Sequence, residues 1–239
     1  MKPIGETSPR LKARIAGVFY LLEMLTGGFA ILFVGGRLFV SGDAAATATN
    51  ILAHLSLFQL GFAANLIQFA CYVAVTGLFY DLLRPVNRGL SLLAAFFSLV
   101  GCTIGAVSCL FYFAPVVVLG GAQYLNVFKL EQLQALALMF LNLYGQCFNI
   151  SFVFFGFYCL LIGYLIFRSS FLPRIILGAG MALAGSGWLI FLSPALAKHL
   201  SPYNLAAGLG EVALTLWLIV AGVNAQRWKE QASAAGENQ

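Results

Sequence analysis

The chain has 239 residues, of which 61% are hydrophobic and 9% charged, with a mean hydropathy of +0.92; that leaves too little polar surface to clothe a soluble globule of this size, so lipid is its expected solvent. The formal charge is +5, but the cations sit in the gaps between apolar runs and not along one polar element. That placement argues against nucleic acid as a partner and for the lipid bilayer, including its anionic headgroups.

Residues 1–14 are polar and carry Lys2, Arg10, Lys12 and Arg14; a first span follows over residues 15–36. At about 22 residues it exceeds the roughly 7 to 15 of a cleaved signal core, so it is expected to remain as an anchor. Residues 43–57 read as an exposed loop passing into an Ala/Thr-rich helical lead at the interface, and a second span falls within residues 58–82. Arg84, Pro85 and Arg88 make a first basic hairpin. The third span occupies about residues 90–119, with a kink expected at Pro115.

A Gly120-Gly121 turn leads to Lys129 and Glu131. The uncharged stretch from there to residue 167 is roughly 55 Å of continuous helix, too long for one perpendicular span. The fourth span is therefore either preceded by an interfacial helix or projects beyond the membrane. Arg168 and Arg174 bracket a short Ser/Pro turn, where Pro173 cannot continue the arriving helix and the arginines belong among headgroups and water. A fifth span over residues 175–192, an outer loop bracketed by Pro194 and Pro202, and a sixth span over about residues 203–225 complete a six-span domain, residues 15–226. Residues 227–239 form a polar tail, expected to be disordered.

On this reading Lys2, Arg10, Lys12, Arg14, Arg84, Arg88, Arg168, Arg174, Arg227 and Lys229 fall on one side, and Arg37, Lys129 and Lys198 on the other. Ten against three places both termini in the cytoplasm. The fold expected is all-α, an integral membrane bundle of six transmembrane helices, with Arg84, Arg88, Arg168 and Arg174 as cytoplasmic headgroup contacts.

The segments YDLLRPVNRGLSLLAAF, FFGFYCLLIGYLIFRSSFLPR and GEVALTLWLIVAGV, together with ARIAGVFYLLE from residue 13, resemble the bacterial multi-pass membrane proteins grouped as the DUF4386 family. The resemblance extends over nearly the whole chain. It implies a six-helix protein of the bacterial cytoplasmic (inner) membrane and, because the family's name records a domain of unknown function, it supplies no catalytic or binding residues. The family pattern frequently carries an acid near Asn65; a charged role there does not carry over to this neutral amide.

Polar groups inside the spans are the functional pointers, since an ionisable group at mid-membrane costs about 2.5 to 3.5 kcal/mol on insertion scales. Glu23 lies about 12 Å along the first span from its cytoplasmic end, and Glu211 about 12 Å along the sixth from its outer end. Across a core of about 30 Å the two are expected within about 10 Å of each other in depth. Ala16, Tyr20, Gly27 and Ala30 share the face of Glu23; Asn204, Gly208, Thr215 and Gly222 share that of Glu211. No intramembrane Lys or Arg supplies a counter-ion. Each acid reads either as a neutral hydrogen-bonding tie between helices or as a group for proton coupling or ligand binding.

Asn142, Gln146 and Asn149 recur at spacings of four and three, and Gly61, Asn65, Gln68 and Tyr72 repeat the arrangement on the second span. They are read as a polar seam, either interhelical glue or the lining of a cavity. The five cysteines, Cys71, Cys102, Cys109, Cys147 and Cys159, include no CxxC pair and read as small buried apolar residues; His54 and His199 have no partner at ligand spacing. No metal or cofactor is expected, and no nucleotide-binding or hydrolase motif is present. The leading reading is a non-enzymatic bundle that binds or moves a small or lipidic molecule. The alternative is a structural or regulatory membrane subunit without its own ligand. The sequence does not set the oligomeric state.

Overall fold

The computed structural model describes residues 8–200 and 204–236, with backbone alone for residues 194 and 204–207. Lys2, Pro202 and Tyr203, the expected start of the sixth span, lie outside the described residues, as does the side chain of Asn204. All regular elements among the described residues are helical. Five helices are long and apolar enough to cross a membrane, or six if the bent pair near the C-terminus is one span. The chain is a multi-pass helical protein.

Helix α1 (Pro9–Leu38) starts where Ser8 Oγ accepts from the Leu11 amide at 3.2 Å and Pro9 occupies the first helical position, where a missing N–H costs nothing. Its turns widen to π geometry over Phe29–Gly35. The expected helical lead is α2 (Ala44–Ala53), capped by Asp43, whose Oδ1 accepts from the Ala46 amide at 2.8 Å. Helix α3 (Leu55–Leu83) stops at Arg84-Pro85, and Asn87 Oδ1 caps α4 (Arg88–Leu119) through the Leu90 amide at 2.9 Å. Helix α4 runs on through Pro115, which costs it one backbone bond near its end. Helix α5 (Leu130–Arg168) is unbroken for 39 residues, about 58 Å, with no separate interfacial helix ahead of its span.

The second basic hairpin leads into α6 (Arg174–Trp188), which a 3₁₀ turn over Leu189–Leu192 extends. The expected outer loop contains α7 (Pro194–Leu200). The last apolar helix, α8 (Asn204–Val220), ends earlier than expected because Gly222 turns the chain at φ +67°. Asn224 Oδ1 then caps α9 (Ala225–Gly236) through the Arg227 amide at 3.1 Å, and the axis bends by 104°.

The contacts define two compact units. In the first (Met1–Leu21, Cys71–Gly101 and Ile150–Gln239), glycines set the helix packing. A Cβ on Gly163 would lie 2.9 Å from Gly178 O, and one on Gly185 would lie 2.7 Å from Gly156 O, so α5 and α6 approach backbone to backbone. Thr76 Oγ1 and Ser98 Oγ, 2.6 Å apart, tie α3 to α4. At the basic end Arg14 donates to Val220 O at 3.2 Å and Arg10 to Ala221 O at 3.4 Å, which supplies donors and positive charge to the C-terminus of α8. Lys12 and Arg84 both pair with Asp81.

The second unit (Leu22–Ala70 and Cys102–Asn149) is built on aromatics. Phe58 stacks on Tyr112 at 4.5 Å, and Tyr112 meets Tyr144 edge-on at 5.2 Å. Gly61 and Gly105 admit the Tyr112 hydroxyl and the Phe69 ring, since a Cβ would fall 2.4 and 2.2 Å from them.

The tail corrects one expectation. Its average polarity suggested disorder, but residues 225–236 form α9, anchored to both basic hairpins. Trp228 Nε1 donates to Leu82 O at 2.8 Å, and Gln231 Oε1 accepts from Ser170 N at 2.9 Å and from Ser170 Oγ at 2.8 Å. Trp228 and Gln231 are three residues apart and share one helical face, a local pattern that average composition hides. Trp228→Phe keeps the ring packing but loses the indole bond, at a cost of about 1 kcal/mol. Amide exchange through residues 225–236 should speed up several-fold; unchanged exchange would show that α9 is held by other contacts.

Candidate functional site

Glu211, 8% exposed on α8, accepts three side-chain hydrogen bonds within the first unit. Its Oε2 accepts from Tyr20 OH at 2.7 Å. Its Oε1 accepts from Trp188 Nε1 and, at 3.6 Å, from the Cys159 thiol. One carboxyl group therefore joins α8 to α1, α5 and α6. Small residues let this happen: a Cβ on Gly210 would fall 2.0 Å from Gly180 O, so α6 and α8 touch backbone to backbone beside Glu211.

Aromatic rings enclose the centre. Tyr20 meets Tyr72 edge-on at 5.7 Å, and Tyr72 meets Tyr158 at 6.0 Å. Trp188 stacks on Phe152 at 4.5 Å, which stacks on Phe191 at 5.5 Å. All three donors to Glu211 are neutral, so the carboxyl is held by dipoles alone and has the chemistry to take a proton or a cationic group. Sequence reasoning placed Tyr20 on an inward face but did not single out Trp188. It also treated Cys159 as merely apolar.

Glu23, also 8% exposed, belongs to the second unit, where Gln68 Nε2 donates to its Oε1 at 3.1 Å. Gly27 leaves room for that amide: a Cβ there would lie 2.7 Å from Gln68 Cδ. The Gln68 Oε1 is buried without a hydrogen-bond partner among the described residues.

The amide seam is formed only in part. Asn65 is fully buried, donating to Gly61 O at 3.0 Å and accepting from Tyr144 OH at 3.0 Å. Asn142 and Gln146 are exposed and Asn149 is half-buried; they do not join Asn65 and Gln68. The inward face of α5 is Leu141, Tyr144 and Phe148, roughly 130° around the helix from the three amides. The aromatic face supplies more apolar burial than an amide face, and it wins the interior.

Arg84, Arg88, Arg168 and Arg174 are all exposed at the hairpins. Two grooves open there against α9. One, of 720 Å³, is lined by Ser170, Pro173, Arg174, Ile175, Arg227 and Glu230 among others; the second, of 330 Å³, by Arg84, Pro85, Arg88 and Trp228 among others.

The family description "Domain of unknown function (DUF4386)" matches residues 15–222. An uncharacterized protein of Archaeoglobus fulgidus is 27% identical over 154 residues, which cover 63% of this chain and 76% of that protein. No solved structure matches the chain.

Proposed function

The chain belongs to the DUF4386 family, and from that premise we propose that it is a protein of the cytoplasmic (inner) membrane that binds a small or lipidic molecule at the Glu211 centre. The excess of Lys and Arg on the hairpin side supports an orientation with both termini in the cytoplasm. The observation that carries the reading is a buried carboxyl group with three neutral donors, an aromatic surround and no cationic partner among them. A helix tie alone needs no ionisable group, because Ser, Thr, Asn or Gln serves at lower insertion cost. A suitable ligand carries a positive or hydrogen-bond-donating group beside an apolar body.

The structural or regulatory subunit is the second reading. The engagement of both Glu211 oxygens by protein donors and the backbone contact of Gly180 with Gly210 favour it. Native mass spectrometry of protein gently extracted from its own membrane separates the two. The expected result is a stoichiometric small-molecule adduct on the wild type that Glu211→Gln loses while remaining folded. An adduct held equally by both proteins would move the site away from Glu211; no adduct on either would favour the structural subunit.

A further inference from the structure

We infer that the larger groove, between the second basic hairpin and α9, is a binding site for one phospholipid with an amine-bearing headgroup. The inference goes beyond the Glu211 reading and shares with it only the membrane placement. Its walls divide into three chemistries. Arg174 and Arg227 present guanidinium groups to the groove, Glu230 presents a carboxylate, and Ile175 and Ile176, 77% and 73% exposed, continue from Arg174 as an apolar wall.

Both arginines are positioned by the protein. Arg174 Nε donates to Ser169 O, and Arg227 Nη1 donates to Ser170 O at 3.4 Å. Each keeps further N–H groups for a ligand, and paired guanidiniums suit a phosphodiester, whose oxygens accept bidentate bonds. Glu230 shares the groove yet forms no ion pair with either arginine among the described residues. It accepts instead from Gln226 Nε2 at 2.9 Å. Positive and negative groups therefore share one groove without an ion pair between them among the described residues. That is the arrangement complementary to a zwitterion whose phosphate and ammonium are themselves separated, with the isoleucines placed for the start of an acyl chain.

A head of the phosphatidylethanolamine type satisfies both halves. A phosphatidylglycerol head satisfies the arginines but offers Glu230 only hydroxyl groups. The test reconstitutes the full chain in bilayers of equal phosphatidylethanolamine and phosphatidylglycerol and measures by native mass spectrometry which lipid the released protein retains. Wild type should retain phosphatidylethanolamine over phosphatidylglycerol by roughly fivefold, the ratio a part-exposed ion pair supplies. Glu230→Gln should abolish or reverse that preference without reducing the total lipid retained. The Arg174→Gln, Arg227→Gln double variant should lose both lipids. Retention of phosphatidylglycerol first, of neither lipid, or of an unchanged ratio in Glu230→Gln would overturn the assignment. Glu211→Gln should leave the ratio as in wild type, so this site and the Glu211 centre fail independently.

Discussion

Gly210→Ala is expected to force α6 and α8 apart and to destabilise the fold by about 3 kcal/mol, at the upper end of overpacking costs. A Cβ there would lie 2.0 Å from Gly180 O and 2.4 Å from Gly180 C. Those obstructing atoms are backbone, so no side chain can rotate out of the way. The reciprocal change is milder, because a Cβ on Gly180 would lie 3.1 Å from Gly210 Cα. Gly208→Ala has nothing within 4 Å of the new methyl and should be neutral, or stabilising by up to about 1 kcal/mol through helix propensity. The three variants form an ordered series for unfolding in mixed detergent micelles. Gly210 also precedes Glu211, so Trp188 fluorescence should change in Gly210→Ala alone as its indole loses the carboxyl partner. A Gly210→Ala protein as stable as wild type would rule out the close approach of the two helices.

The hairpins were legible in the sequence because two independent signals agree at each: a proline lies between the helices, Pro85 just after α3 and Pro173 at the cap of α6, and arginines cluster beside it. Glu211 and Glu23 were legible as polar centres because an acid in an apolar run must find partners. Which partners was not legible. Trp188 and Cys159 are 23 and 52 residues from Glu211 along the chain, and nothing in their local spacing marks them as donors. Periodicity grouped Asn142, Gln146 and Asn149 on one face correctly but does not say whether that face turns inward. On α5 the answer came from Tyr144 and Phe148 on the competing face. The tail was misread for a related reason: its composition is polar, but docking depends on Trp228 and Gln231 and on two hairpins distant in sequence.

The Glu211 connections can be weighed with a volume-conserving change. Glu211→Met removes the shared acceptor of Tyr20, Trp188 and Cys159 while leaving a long unbranched side chain between α1, α5, α6 and α8. Interhelical hydrogen bonds in membranes are worth about 0.6 to 1.7 kcal/mol, so three lost together cost roughly 2 to 5 kcal/mol. Glu211→Gln retains one acceptor oxygen and should cost about half as much. Tyr20→Phe removes a single donor, and its effect depends on the residue at 211. In the wild-type background it strands an acceptor lone pair and costs about 1 kcal/mol; in Glu211→Met it removes a hydroxyl already without its acceptor and should cost almost nothing. The cycle should therefore show a coupling of about 1 kcal/mol between two residues 191 positions apart. Additive costs would mean that Tyr20 and Glu211 stabilise the bundle independently, and the carboxyl group would then lose its standing as the tie between α1 and α8.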